Sequence, residues 1–149
     1  MDSRIDLQNI LHKDIPITRR IGIQVEHCEV DRVVLTAPIE PNLNHKCTAF
    51  GGSLYSVAVL TGWSFIHYNL QLHGLTGTIV IQHSETDYII PVDGQIRAEC
   101  VMQQTENLYR FIKMYKRKGR ARMSLQIKIM HNDSDAMILN AQYVVHTHL

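Results

Sequence analysis

The stretch TAFGGSLYSVAVLTGWSFIHYNLQL, Thr48 to Leu72, sets the architecture of this chain. It lies within a longer span, Cys47 to Ser84, that contains no Asp, Glu, Lys or Arg. Twelve of the twenty residues from Ser53 to Leu72 are apolar, at positions 54, 55, 57, 58, 59, 60, 63, 65, 66, 68, 70 and 72. Wound as a helix they cover every side, and a helix apolar all round is a buried one. At about 1.5 Å per residue it is roughly 30 Å long, the diameter of a small domain. That length also crosses a bilayer. Against a membrane span stand Ser56, Thr61, Gly62, Ser64, His67, Asn69 and Gln71, and the lack of a basic or signal-like N-terminal segment to orient it. A buried core helix is expected, and the material left to wrap it is strand-like.

Ile21–Cys28 alternates through Ile21, Ile23 and Val25 and turns at Glu29–Asp31 into Arg32–Ile39, which predicts a hairpin. Pro38 and Pro41 close the second strand and open the loop Glu40–Cys47. Beyond the helix, His73-Gly74 is a stop, Gly77 opens the β-branched segment Thr78–Ile90, and Pro91 with Asp93-Gly94 marks a turn into Gln95–Met102. Arg120–Met130 sets Ala121, Met123, Leu125, Ile127 and Ile129 against Arg122, Ser124, Gln126 and Lys128, and Asn132-Asp133-Ser134-Asp135 turns into Met137–His146. Ahead of all these, Asp2–Lys13 has Ile5, Leu7, Ile10 and Leu11 at amphipathic spacing and stops before Pro16. The expected fold class is α+β, one domain over 1–149, in which the long helix is wrapped by a bent antiparallel sheet of about five to six strands. No second helix is expected to cover the sheet's other face, so its free edges invite a second copy of the chain.

Fifteen basic and fourteen acidic residues balance to a formal charge of +1, which predicts no general attraction to nucleic acid or to an anionic membrane. Cys28, Cys47 and Cys100 form an odd, widely spaced set without a Cys-x-x-Cys, arguing against a disulfide framework and for a reducing, cytoplasmic location. His146 and His148 lack a nearby carboxylate and read as a strand end, so no metal is expected. Arg110–Arg122 carries Arg110, Lys113, Lys116, Arg117, Lys118, Arg120 and Arg122 with no acid. A solvated turn is the ordinary meaning of such a run; an anionic partner is the alternative. Its aromatics, Tyr109, Phe111 and Tyr115, are spaced as in a packed helical turn, which disfavours nucleic acid.

Three segments, Pro41-Asn42-Leu43-Asn44-His45 with Thr48-Ala49-Phe50-Gly51-Gly52-Ser53, then Leu60-Thr61-Gly62-Trp63, then Tyr88-Ile89-Ile90-Pro91, resemble the hotdog fold. The resemblance is to the thioesterase-like domain at the C-terminus of YiiD-type proteins, here without the acetyltransferase domain that precedes it there. It implies acyl thioesters of coenzyme A or acyl carrier protein as ligands and sites built across a homodimer or a dimer of dimers. It implies no cofactor beyond the coenzyme A or phosphopantetheine of the substrate.

Gly51-Gly52 at a helix start offers free N–H groups and the positive end of the helix dipole, a place for a carbonyl oxygen as it gains charge. Close packing of helix on sheet would use Gly-Gly equally well; the resemblance favours the oxyanion role. It likewise places Asn44 where hotdog enzymes aim a polar residue at the thioester, although an Asn after Pro41 is also an ordinary turn residue. Thr48 is the expected N-cap, and His45 the one imidazole near this helix end in sequence. Phe50, Val59, Tyr88, Arg117, Lys118 and Arg120 are the expected substrate contacts. Two departures matter: many hotdog hydrolases have His-Gly-Gly where this chain has Phe50-Gly51-Gly52, and an acid where it has Val59. A base for water must then come from His45, Glu85 or Asp87. Acyl-thioester hydrolysis is the leading expectation. Malonyl-carrier decarboxylation, which needs an oxyanion site but no base, and non-catalytic acyl-thioester binding are the alternatives.

Overall fold

The computed structural model describes residues 2–147. Helices α1 (Ser3–Asp14) and α2 (Ile17–Ile21) lead into strands β1 (Gln24–Glu29) and β2 (Arg32–Ala37). A short 3-10 turn at Glu40–Asn42 precedes helix α3 (Gly51–Leu72), followed by β3 (Thr78–Tyr88), β4 (Ile96–Val101), helix α4 (Thr105–Lys118), β5 (Arg120–His131) and β6 (Ser134–His146). The six strands make one antiparallel sheet in the order β1-β2-β4-β5-β6-β3. Every strand touches α3, so the sheet curls around the helix and covers most of its circumference. No helix among the described residues is long and apolar enough to cross a membrane.

Two buried polar residues of α3 bond to nearby carbonyls, while Ser64 Oγ is buried without a partner among the described residues. Thr61 Oγ1 donates to the Val57 carbonyl at 2.7 Å, and Asn69 Nδ2 to the Phe65 carbonyl at 2.9 Å and the Val30 carbonyl at 3.1 Å. Gly62 has a different reason. Tyr143 on β6 lies flat against it and donates its hydroxyl to the Val59 carbonyl at 2.7 Å, so a Cβ on residue 62 would fall on the phenol.

The two sheet edges are treated differently. Along β1, α1 blocks the edge: the Val25 N–H donates to Gln8 Oε1 at 2.9 Å, Ser3 Oγ donates to the Cys28 carbonyl at 3.1 Å, and His12 Nε2 lies 2.9 Å from the Ile23 carbonyl. The opposite edge, β3, pairs only with β6 and leaves its other side open for eleven residues.

The structure corrects the sequence reading in three places. A second substantial helix exists: Leu108, Phe111, Ile112 and Tyr115 recur at i, i+3, i+4 and i+7 and bury one stripe of α4 while the basic residues face out. The expected strand start at Ile21 belongs to α2, which ends at Gly22 in the left-handed region, so β1 begins at Gln24. The last hairpin is tighter than expected, with positive φ at Asn132 and Asp133 alone between His131 and its partner Ser134. Of the histidine pair read as a strand end, His146 closes β6 and His148 lies outside the described residues.

Gly62→Ala is expected to cost about 1–3 kcal/mol by overpacking. Tyr143→Phe should relieve part of that clash, so the double variant is expected to lose less than the two single losses summed. Thermal denaturation of the four proteins measures this, and strictly additive losses would show that the phenol is not what excludes the Cβ.

Candidate active site

The loop before α3 is a miniature hairpin. Leu43 and Ala49 form a bridge, the Asn44 N–H donates to the Thr48 carbonyl at 2.7 Å, and the Phe50 N–H donates to the Asn42 carbonyl at 2.7 Å. Asn42 anchors its base: 3% exposed, its Nδ2 donates to the Ile21 and Pro38 carbonyls at 2.9 and 2.8 Å. Asn44 organises its tip. Its Oδ1 accepts the Lys46 and Thr48 N–H groups at 2.8 and 3.1 Å, and its Nδ2 donates to Thr48 Oγ1 at 2.8 Å. The Asn44 side chain is therefore fixed in orientation, with the second hydrogen of its amide still available.

Thr48 is thus not the helix cap. The N-cap is Phe50, extended at φ −60°, ψ 132°, with no side-chain capping bond. Ser53 and Leu54 donate to the Phe50 carbonyl at 2.9 and 3.1 Å, whereas the Gly51 and Gly52 N–H groups have no acceptor among the described residues. These two donors and the start of a 22-residue helix dipole point outward together. A Cβ on Gly51 would only touch the Tyr88 ring at 3.5 Å, so room for a side chain is not what glycine supplies there.

Tyr88, at the end of β3, donates its hydroxyl to the Gly51 carbonyl at 3.1 Å; burial, then Tyr55, pushes its phenol up, which keeps it a proton donor at neutral pH. Phe50 and Tyr88 are 58% and 55% exposed and frame the helix end with aromatic surface. From it a half-buried stripe, Tyr55, Val59, Trp63 and His67, runs down one flank of α3 at i, i+4 spacing. Tyr55 bonds Ser84 on β3 through their hydroxyls at 2.7 Å, and Trp63 stacks on His67 with ring centroids 4.8 Å apart. Tyr55, Trp63 and His67 were not legible as a set; the i, i+4 spacing was the available signal, hidden by the general apolarity of the helix.

Two of the three expected bases, Glu85 and Asp87, do not reach this site. After an irregularity between Ile81 and His83, Ser84 and Tyr88 face α3, so alternation turns Glu85 and Asp87 to the outer face of the sheet. His45 is exposed at the tip of the miniature hairpin. Cys28 and Cys100 are buried, and burial pushes their thiols up to about 11 and about 12, which rules them out as nucleophiles at neutral pH.

The basic run sits at the other end of the molecule. The Tyr115 hydroxyl binds the Thr76 carbonyl beyond the C-terminus of α3, so α4 and Gly51 are separated by the length of α3, about 30 Å. Lys118 and Arg120 line a groove between α4 and β5, while Arg117 lines a smaller one beside His73. The structure brings together Asn44, Thr48, Phe50, Gly51, Gly52 and Tyr88, with His45 exposed at the tip of the same loop and Val59 two turns along the helix; it does not bring Arg117, Lys118 and Arg120 to them within one protomer.

A family model described as "putative thioesterase (yiiD_Cterm)" matches residues 4–147. The chain is similar to a crystal structure of a protein of unknown function from Chlorobaculum tepidum, at 33% identity over 97% of this chain and 94% of that one, with a TM-score of 0.90. A crystal structure of a "putative thioesterase" from Shewanella oneidensis aligns at 23% identity over 96% of each chain with a TM-score of 0.87. A probable thioesterase from Pseudomonas aeruginosa aligns at 19% identity over 99% of this chain and 97% of that one with a TM-score of 0.83; these two likenesses carry the hotdog fold.

Asn44→Ala removes three hydrogen bonds that close the loop and is expected to lower stability by about 1–2 kcal/mol. Asn44→Asp keeps the accepting oxygen and should lose less. Urea unfolding of both variants is the check, and equal losses would mean that the two accepted N–H bonds do not hold the turn.

Proposed function

The chain belongs to this YiiD C-terminal thioesterase family, and from that premise we propose that it hydrolyses acyl thioesters of coenzyme A or acyl carrier protein at the Gly51–Gly52 end of α3. The observation that carries the reading is the pair of unpartnered backbone N–H groups at the start of a long buried helix. Water attacks the thioester carbonyl carbon, and the C=O electron pair moves onto oxygen. The Gly51 and Gly52 N–H groups hold the resulting oxyanion, with the helix dipole adding to their field. The fixed Asn44 amide supplies a further donor through its free hydrogen. Collapse re-forms the carbonyl and breaks the C–S bond; the sulfur leaves as thiolate, and the proton lost by water passes to His45, the imidazole we assign as base. Phe50, Tyr88 and Val59 line the path of the pantetheine and acyl chain.

The open β3 edge supports a homodimer, alone or within a dimer of dimers. The β1 edge is already occupied by α1, and β3 continues into Ile89 and Ile90, exposed by 51% and 36%. Three unpaired cysteines suit a reducing, cytoplasmic setting. A second reading, malonyl-thioester decarboxylation, is favoured by one specific observation: α3 carries no carboxylate, and Glu85 and Asp87 face away from its N-terminus. That reaction makes an enolate, which the same two N–H groups would hold, and it needs no base.

Purified protein incubated with acyl- and malonyl-CoA series and their carrier-protein equivalents, with thiol and CO₂ both followed, separates these readings. Free thiol without CO₂ is the expected result. CO₂ without thiol would transfer the site to decarboxylation, and silence in both channels with measurable binding would make the protein a non-catalytic thioester binder.

Gly51→Pro tests the donor directly, because proline is tolerated at the first helical position and Phe50 already has the extended backbone that must precede it. It is expected to lower kcat about 100-fold with little change in KM or Tm, whereas Gly51→Ala, which keeps the N–H, should stay within about threefold of the parent. Equal activity of the two variants would remove the Gly51 N–H from the mechanism.

A further inference from the structure

The near-neutral total charge conceals a strong asymmetry. Residues 105–122 hold seven of the fifteen cations and one of the fourteen acids, so the rest of the chain, with eight cations against thirteen acids, carries a formal −5. The fold gathers the seven on one face. Arg110, Lys113 and Arg117 recur at i, i+3 and i+7 on α4, opposite its buried stripe, and form the crest of the helix. Lys118, Arg120 and Arg122 line the groove on one side of that crest, and Lys116 lines the groove on the other side, beside His73. None of the seven forms an ion pair among the described residues, whereas Arg32, Arg97 and Lys128 on the sheet are all paired.

Exposed apolar groups accompany these cations. Tyr109, 69% exposed, and Met114 lie on the two slopes of the crest, and Leu72, 52% exposed, ends α3 immediately before the His73 that shares a groove with Tyr109. The stripe of α4 is sealed in the core and its Tyr115 is tied to the Thr76 carbonyl, so the helix is a fixed ridge presented to solvent. That combination selects among anionic partners. A nucleic acid strand is held by exposed aromatics that stack its bases, and two of the three aromatics of α4, Phe111 and Tyr115, are buried. A bilayer rich in anionic lipid is matched by a convex row of cations, each contributing about fivefold in affinity near the surface, with a tyrosine at headgroup level. The −5 carried by the rest of the chain is repelled from the same surface, which turns the molecule so that α4 meets it first.

We propose that the outer face of α4 docks on an anionic lipid bilayer, with Arg110, Lys113 and Arg117 among the lipid phosphates and Tyr109 at the headgroup boundary. The apolar stripe of the helix stays in the protein core, so the contact is peripheral and reversible, held by charge and by the few exposed apolar groups beside it. Gly51, about 30 Å away at the other end of α3, takes no part in the contact, and the inference does not depend on the thioesterase reading.

Co-sedimentation with vesicles of phosphatidylcholine containing about one third phosphatidylserine, at about 0.1 M salt, tests this directly. The protein is expected to pellet with these vesicles and not with pure phosphatidylcholine, and to be released at about 0.5 M salt. Arg110→Gln/Lys113→Gln should bind at least tenfold more weakly, and Tyr109→Ser, which leaves the charge unaltered, about threefold more weakly. Arg97→Gln/Lys128→Gln, which removes two cations from the sheet, should stay within about twofold of the parent. Tm values matching the parent's confirm that the variants are folded. No pelleting with the anionic vesicles, equal pelleting with the neutral ones, or a sheet variant as impaired as the α4 variant overturns the docking face. Tyr109→Ser bound as tightly as the parent, or a parent that binds polyglutamate or duplex RNA with the same affinity and salt dependence, overturns the bilayer as its occupant and leaves a general polyanion site.

Discussion

The structure depends on the burial of one helix. α3 has too much apolar surface to stand in water, and every strand of the sheet contributes to covering it, leaving one flank, Tyr55, Val59, Trp63 and His67, half-buried. The curvature of the sheet, the flat lie of Tyr143 on Gly62 and the internal bonding of Thr61 and Asn69 all follow from enclosing that one element. The same constraint makes the site. A helix that must run through the core has to begin somewhere, and here it begins at the surface with two glycines and no capping side chain, which leaves its first N–H groups facing outward.

The buried helix, its start at the paired glycines and the strands around it could be read from the sequence because each rests on local pattern: continuous apolarity, Gly51-Gly52, period-two alternation. Helix α4 could not be read so easily. Its five cations, with Arg120 and Arg122 just beyond, dominate the composition, and the buried stripe is only the four residues Leu108, Phe111, Ile112 and Tyr115. Asn44 was legible as a turn residue, and the structure shows how it serves as one: the turn consumes its oxygen and one amide hydrogen and leaves the other hydrogen free. Thr48 was misassigned as a cap because proximity to the helix does not tell which partner its hydroxyl takes; the Asn44 amide, four residues back, takes it. The orientation of Glu85 and Asp87 was hidden as well, since a one-residue irregularity in β3 inverts the faces of everything after it.

The unequal treatment of the two sheet edges links fold to assembly. Three side chains of α1 satisfy backbone groups along β1, while β3 keeps a row of unpaired donors and acceptors beside the aromatic frame of the helix end. A chain that protects one edge and exposes the other has a preferred direction of growth, and the exposed edge is the one that carries Tyr88.

The central claim is that the Gly51 and Gly52 N–H groups polarise a thioester carbonyl. Isotope-edited infrared spectroscopy of a slowly processed acyl-CoA labelled with carbon-13 at the thioester carbonyl measures that polarisation in the bound state. The account predicts a C=O band displaced to lower frequency on the parent protein and returned toward its solution position on Gly51→Pro. A bound thioester whose carbonyl frequency is the same on both proteins, and the same as in an apolar solvent, would contradict it.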